Sequence, residues 1–425
     1  MERAVDIDRL RADIEATAAF GRIETDAPEA FGRTNLTGTE ANHRTRDYFV
    51  DRLQEAGLDV TVDPVGNIAG RWIPESANAD ASPVAAGSHL DSVPEGGIFD
   101  GPLGVYAALE SVRAMQDAGV EPDRPILVVS FTEEEGSTFG NGLLGSSVAT
   151  GETDLDAALS LENGDGEQLS EALSRIGYRG DGTVDPASWD GFYELHIEQD
   201  TTLEDAGVDV GVVTTITGIT HCDVSIVGEA NHAGATAMTE RTDALAAASE
   251  FVLDIEQAAT ETETSSQTAV GTVGSLSVSP NATNVVPGCV DMGVDIRDVT
   301  RDAMETIVAA ARASLDRRAA ERGVETSFDR PFDIAPEPMS DRLREAVHHA
   351  AEAADRSTLT LHSGAAHDAM RVARVTDAAL LFVPSRDGIS HNPREWTDWA
   401  DCAAATEVLA GAIARNAGVE KRTEP

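Results

Sequence analysis

One pattern limits this chain more than any other: short, unbroken apolar strands alternate with helices, stop near Gly211, and resume after Pro331. The strand-like runs are Val60 to Val62, Asn67 to Trp72, Pro83 to Ser88 and Ile126 to Phe131. Predicted helices over Gly38–Ala56 and Gly104–Ala118 lie among them, each closed by a glycine, Gly57 or Gly119. An earlier helix carries Leu10, Ile14 and Ala18 at four-residue spacing. Strands without polar alternation are buried on both faces, so the pattern predicts an α/β sheet covered by helices on both sides.

Between Gly211 and Pro331 the texture changes. Residues 212–228 and 268–298 are rich in Val, Thr and Ile, and Cys222-Asp223-Val224-Ser225-Ile226-Val227 alternates with period two. Two helices, near Thr242–Thr260 and Arg301–Arg322, give a strand–helix–strand–strand–helix order. That order predicts a small α+β sandwich. The α/β texture then returns with a helix over 340–354, a strand over 378–383 and a last helix near 399–415. The expected organisation is one α/β domain, residues 1–211 and 331–425, interrupted by an insertion over 212–330.

Composition restricts the partners. Among 425 residues, 75 are acidic and 31 basic, a net charge of −44. Such a surface does not attract nucleic acid phosphates or anionic lipid, so neither is an expected partner. Lys421 is the only lysine, and the acids are spread along the chain instead of forming one polyanionic tail. We read this as adaptation to concentrated salt, where the Debye length falls to about 3 Å. Cys222, Cys289 and Cys402 have no C-x-x-C spacing, which implies neither a disulfide framework nor a thiolate zinc site. Met1 to Asp6 lacks the apolar core of a signal peptide, and runs such as Pro125–Phe131 are too short to span a bilayer. A soluble cytoplasmic protein is expected.

Five short motifs carry candidate chemistry. In Gly87-Ser88-His89-Leu90-Asp91 the histidine and aspartate face one side of a strand, so Asp91 can steady the imidazole of His89 while its other nitrogen binds a metal. Asp100 sits in the glycine-rich Gly96-Gly97-Ile98-Phe99-Asp100-Gly101 entering a helix, where a capping turn is the commoner explanation. Glu133-Glu134-Glu135 follows the apolar strand Ile126–Phe131. An acidic run is usually a solvated surface, but this one lies at the carboxyl end of a strand, where α/β sheets bind ligands. His196 and His391 stand in Leu195-His196-Ile197-Glu198-Gln199 and Ser390-His391-Asn392-Pro393. A single histidine of this kind is more often structural. Three imidazoles and two carboxylates together suit two divalent metals sharing a carboxylate, with an adjacent glutamate as general base.

Taken in order, G-S-H-L-D-S-V, G-G-I-F-D-G-P-L-G-V, E-E-E-G-S, L-H-I-E-Q, N-A-T-N-V-V-P, D-I-R-D and S-H-N-P resemble the amidase/hydantoinase/carbamoylase family of dinuclear metallohydrolases, from Gly38 to about Ala400. The family includes N-carbamoyl-L-amino-acid hydrolases, allantoate amidohydrolases and β-ureidopropionases. The resemblance implies a mixed-sheet α/β catalytic domain with an inserted α+β lid and dimerisation domain, hence a homodimer. It implies that Asp100 bridges two ions (Zn2+, Mn2+ or Co2+), that Glu135 and His391 complete one site and His89 and His196 the other, and that Glu134 is the general base. His196 favours the carbamoylase branch, since peptidase relatives usually carry an acid there. His232 corresponds to an oxyanion-stabilising histidine, Asn284 and Arg297 to the grip on a substrate carboxylate, and Gln199 and His367 to the ureido pocket. Read without the resemblance, Arg297 is a strand-end ion pair and Asn284 a turn cap.

Thr138, Ala237, Ala366 and Met370 depart from the family pattern, which bears on the substrate and leaves every expected ligand in place. The expected reaction is hydrolysis of the linear ureido bond of an N-carbamoyl amino acid or a related acid such as allantoate, releasing amine, carbon dioxide and ammonia. An aminoacylase or dipeptidase using the same site is the nearest alternative, and a metal-dependent binding protein without catalysis the more distant one.

Overall fold

The structure, a computed structural model, describes residues 5–24, 31–140 and 142–419. Lys421 and residues 1–4 of the N-terminal stretch lie outside them. The chain divides into two units, Met1–Thr214 with Pro338–Pro425, and Thr215–Glu337.

The first unit opens with α1 (Ile7–Ala18), whose free amides at Asp8 and Arg9 are accepted by the Asp6 carboxylate. Helix α2 (Glu40–Glu55) is capped by Thr39 in the same way. Strands β1 (Asp59–Val62) and β2 (Ile68–Trp72) pair antiparallel. Strand β3 (Val84–His89) is buried at every position. Helix α3 (Pro102–Asp117) starts on a proline and is buried from Pro102 to Met115. After β4 (Ile126–Phe131) come three short helices, α4 (Leu144–Ala149), α5 (Leu155–Leu159) and α6 (Leu169–Arg175). Then follow β5 (Gly191–Ile197), α7 (Thr202–Ala206) and β6 (Val210–Ile216).

The second unit holds β7 (Gly218–Val227), β8 (Asn231–His232), α8 (Ala244–Glu263), β9 (Val270–Ser279), β10 (Val285–Val286), β11 (Cys289–Asp298), α9 (Arg301–Arg322) and β12 (Glu325–Ile334). Its main sheet is antiparallel in the order β12-β7-β11-β9. Alternate residues Cys222, Val224, Ile226, Val290, Met292, Val294 and Ile296 form one core with Phe251 and Ile255 of α8 and Met304 and Ile307 of α9. Pro331, which the sequence suggests as the point of return, lies inside β12. The ladder between β12 and β7 shifts register between Asp329 and Phe332 on an edge strand. Pro331 therefore sits where no amide is required for the ladder, and the strand runs through it.

The chain returns through β13 (Glu337–Pro338), α10 (Asp341–Ala353), β14 (Thr358–Ser363), α11 (Asp368–Val372), β15 (Ala378–Val383) and α12 (Trp399–Asn416). The large sheet runs β1-β2-β4-β3-β5-β15-β6-β13, with β14 beside β6. It is mixed: β4, β3, β5 and β15 are parallel, flanked by antiparallel neighbours. Strands β3, β5 and β15 are buried at all positions, so both faces are covered. Among the described residues, no helix is long and apolar enough to cross a membrane.

Candidate metal centre

Four parallel strands deliver the candidate side chains to one end of the sheet. His89 is the last residue of β3, paired with Phe131 at the end of β4, and His196 on β5 pairs with Phe382 on β15. The acidic turn Glu133–Glu135 leaves β4, and the loop bearing His391 follows β15. Ligands bind at such carboxyl ends because the loops diverge there and leave a crevice.

Asp100 stands at the centre. Its Oδ1 lies 3.2 Å from His196 Nε2 and 3.4 Å from His89 Nε2. Its Oδ2 lies 3.6 Å from His391 Nε2, which in turn is 3.3 Å from Glu135 Oε2. Two donor groups result, His89–Asp100–His196 and Asp100–Glu135–His391, each with its ligand atoms within 4.8 Å of one another. The first is buried, whereas His391 is exposed. The donor set fits divalent cations: among the described residues both buried ring nitrogens of His89 lack a hydrogen-bond partner, and borderline metals accept mixed imidazole and carboxylate ligation.

Neighbouring groups aim these side chains. The Nδ1 of His196 lies 3.0 Å from the carbonyl of Ile197, which leaves Nε2 for the site. Asp91 approaches His89 Nδ1 only to 3.7 Å, and its carboxylate accepts the amides of Glu134 at 3.3 Å and Glu135 at 3.1 Å. A Cβ on Gly101, which has φ 83°, would come within 2.6 Å of the His89 ring, so the turn after Asp100 requires glycine. Gln199 and His391 hold left-handed φ values of 63° and 53°, the kind of local strain that gathers at functional loops.

The three glutamates separate. Glu133 turns inward, and its Oε1 accepts the amides of Thr138 at 2.6 Å and Phe139 at 2.7 Å. Glu134 points to the site, with Oε2 3.6 Å from His89 Nε2. Burial, reinforced by Glu135, pushes its carboxyl well above the usual range against the pull of His89. Burial and Asp100 raise Glu135 to about 8. Burial alone would lower His89, but Glu134, Asp100 and Asp91 hold it well above its usual value. His367 is buried beside His196, ring centroids 4.5 Å apart, and burial together with His196 pushes its pKa well down.

Gln199 joins the centre from the other side, donating from Nε2 to Asp100 Oδ2 and to Ser390 Oγ, both at 3.0 Å. The structure thus brings together His89, Asp91, Asp100, Glu134, Glu135, His196, Gln199, His367 and His391. His232, Asn284 and Arg297 belong to the second unit. The exposed His232 accepts the amides of Gly234 and Ala235 on Nδ1, so a neutral ring carries its proton on Nε2. The carbonyl of Asn284 accepts the amide of Ala233, which sets these two segments side by side. Arg297 grips Asp295 with two hydrogen bonds, at 2.9 and 3.1 Å.

Around the site, sequence reasoning missed the buried charged residues Glu194, Asp368, Arg33 and Glu395. Glu194 accepts Ser88 Oγ and the Ala369 amide, both at 2.7 Å. Asp368 is fully buried in the first unit. Burial and Glu194 raise it to about 8. Arg33 and Glu395 flank the loop that carries Asp100. Of these, Asp368 adjoins the candidate His367 in sequence; the others look like ordinary surface charge in so charged a sequence.

The profile of peptidase family M20/M25/M40 matches residues 85–415. An N-carbamoyl-L-amino acid amidohydrolase of Geobacillus stearothermophilus is 40% identical over 88% of this chain and 91% of its own. A ureidoglycolate hydrolase of Arabidopsis thaliana is 34% identical over 97% of this chain and 87% of its own. Among solved structures, an amidase of the hydantoinase/carbamoylase family from Burkholderia multivorans superposes with a TM-score of 0.90 at 37% identity, covering 97% of this chain and 98% of that one.

Proposed function

The chain belongs to peptidase family M20/M25/M40, and from that membership we propose that it hydrolyses the linear ureido bond of an N-carbamoyl amino acid or related ureido acid. It is a hydrolytic enzyme of the amidohydrolase type. The observation that carries the reading is the division of Asp100, one oxygen toward His89 and His196 and the other toward His391. In this reading His89, His196 and Asp100 hold one divalent cation, and Asp100, Glu135 and His391 a second. Such ions supply Lewis acidity, which acidifies water and polarises a carbonyl.

Glu134 takes the proton of the attacking water and returns it to the leaving nitrogen. Its buried, raised carboxyl suits a group that must hold that proton between the two steps. The Nε2–H of His232 donates to the developing oxyanion. Arg297 and Asn284 hold the substrate carboxylate, and Gln199 and His367 line the ureido end. Water cleaves the bond between the amine nitrogen and the carbamoyl carbon, giving free amine and carbamic acid, which breaks down to carbon dioxide and ammonia. The second unit acts as lid and dimerisation element, a role supported by the family resemblance. Zn2+, Mn2+ and Co2+ all suit the donor set.

The test is ammonia release from a panel of N-carbamoyl-α- and β-amino acids, allantoate, ureidoglycolate and N-acetyl amino acids, with each ion in turn. Faster turnover of N-acetyl amino acids or dipeptides than of every ureido acid would move the assignment to amide cleavage.

A further inference from the structure

The loop that begins at His89 and ends at Asp100 brings its two ends together, and one side chain ties them. The Arg33 guanidinium is fully buried, and among the described residues its four hydrogen bonds all go to main-chain carbonyls. It donates to Leu90 and Asp91, just after His89, at 3.1 Å each. It also donates to Gly97 at 3.2 Å and Asp100 at 3.3 Å, at the far end. The backbone holds Arg33 in place, its amide donating to the carbonyl of Gly96 at 3.0 Å. A guanidinium is a rigid fork, so fixing four carbonyls about it fixes the separation of the two loop ends.

Glu395 acts on the same loop from its other side. Its Oε1 accepts the amides of Phe99 at 2.9 Å and Asp100 at 3.0 Å. The carboxylate is buried, and a Cβ on Gly97 would lie 2.2 Å from Oε1, so the glycine makes room for it. Asp100 therefore has its amide and its carbonyl held by two buried, oppositely charged side chains remote in sequence. Neither touches the donor atoms of the site.

We propose that Arg33 and Glu395 are positioning residues that set the distance between His89 and Asp100, and thereby how tightly the site takes up a divalent cation. The inference rests on the reading of His89, Asp100 and His196 as ligands. Arg33 also brings a positive charge near the cations, which by itself would weaken uptake. The proposal is that its hydrogen bonds outweigh that repulsion.

Co2+ uptake by the full-length, chelator-stripped chain, measured by competition with a chromogenic chelator and by the Co2+ absorption bands, decides between the two effects. Arg33→Lys keeps the charge and loses the fork. Glu395→Gln keeps the accepting oxygen, Glu395→Ala removes it, and Gly97→Ala displaces it. Arg33→Lys, Glu395→Ala and Gly97→Ala should each bind Co2+ about 10–100-fold more weakly, the range typical of lost support to a metal ligand. Glu395→Gln should stay within about threefold of the parent, and the metal-free variants, although less stable for the buried hydrogen bonds they lose, should remain folded at the temperature of the binding measurement. Parent-like affinity in Arg33→Lys would overturn the proposal, as would tighter uptake in Arg33→Met. Should Arg33→Lys fail to fold, parent-like binding by Gly97→Ala overturns it equally. A parent chain that took up no Co2+ would instead sink the ligand reading itself.

Discussion

The carboxylate of Asp91 accepts the backbone amide of Glu135 at 3.1 Å, so the residue facing His89 also fixes the acidic turn. One side chain thus links the ends of β3 and β4. Loss of that carboxylate would free the turn bearing Glu134 and Glu135 and remove the negative charge 3.7 Å from the ring of His89. Asp91→Ala should lower both cation affinity and kcat by about 10–100-fold. Chelator competition and steady-state kinetics on one preparation check this. A loss of kcat with unchanged affinity would confine Asp91 to the turn.

The three adjacent glutamates should give three phenotypes. Glu134→Gln should lower kcat by about 10²–10⁴-fold, the usual contribution of a general base, with bound cation unchanged. Glu135→Ala should lose cation. Glu133→Ala should mainly lower thermal stability, because its carboxylate satisfies two amides in the turn, the part-buried one of Thr138 and the buried one of Phe139. Elemental analysis, kinetics and thermal unfolding separate the three. Near-normal turnover by a fully loaded Glu134→Gln would remove Glu134 from the mechanism.

The α/β architecture was legible because strands such as Ile126–Phe131, apolar but for Ser130, end on polar turns. The alternation from Cys222 to Val227 likewise announced a sheet with one covered face. The candidate metal centre was legible only as a set, since each histidine alone has a commoner structural explanation. What stayed hidden follows from physics that sequence does not display. Arg33 and Glu395 are charged residues whose burial depends on contacts 57 to 296 positions away in sequence. Pro331 signals a break, yet a register shift on an edge strand lets β12 pass through it. Arg297, which the resemblance assigns to a substrate carboxylate, makes in the fold the strand-end ion pair that its own position suggested, with Asp295.

That contact bears on the carboxylate grip. A bidentate guanidinium–carboxylate pair is worth roughly 1.5–3 kcal/mol when charge-assisted, so losing it with the substrate should cost about 10–100-fold. Arg297→Lys should raise KM for anionic ureido acids by that factor and leave their amides, which lack the carboxylate, little changed. An equal loss for both substrate forms would reduce Arg297 to the partner of Asp295.

Acid sensitivity of the second unit should trace in part to Glu250. Hydrogen bonds from Arg322 and Arg318 on α9 pull its carboxyl down to about 2, from an ordinary value of 4.5. A depressed folded-state pKa means stabilisation that is present above about 4.5 and lost as pH falls toward 2. The carboxylate is 37% exposed, so solvent screening limits the effect to about 0.5–1 kcal/mol. Glu250→Gln should therefore be less stable than the parent at pH 7, with the gap closing by pH 2. A gap that persists at pH 2 would assign the loss to packing instead.

Salt should act in the opposite sense on the whole chain. Individual pairs such as Glu250 with Arg322 weaken when screened, and that alone would make concentrated salt destabilising. The 44 unbalanced negative charges outnumber the 31 basic residues available for pairing, so repulsion is the larger quantity to be screened. Thermal unfolding should shift upward from dilute buffer to molar KCl, while the difference between the parent and Glu250→Gln shrinks. A midpoint that fell or stayed flat as KCl rose would show that pairing outweighs repulsion, and the reading of this surface as salt-adapted would fail.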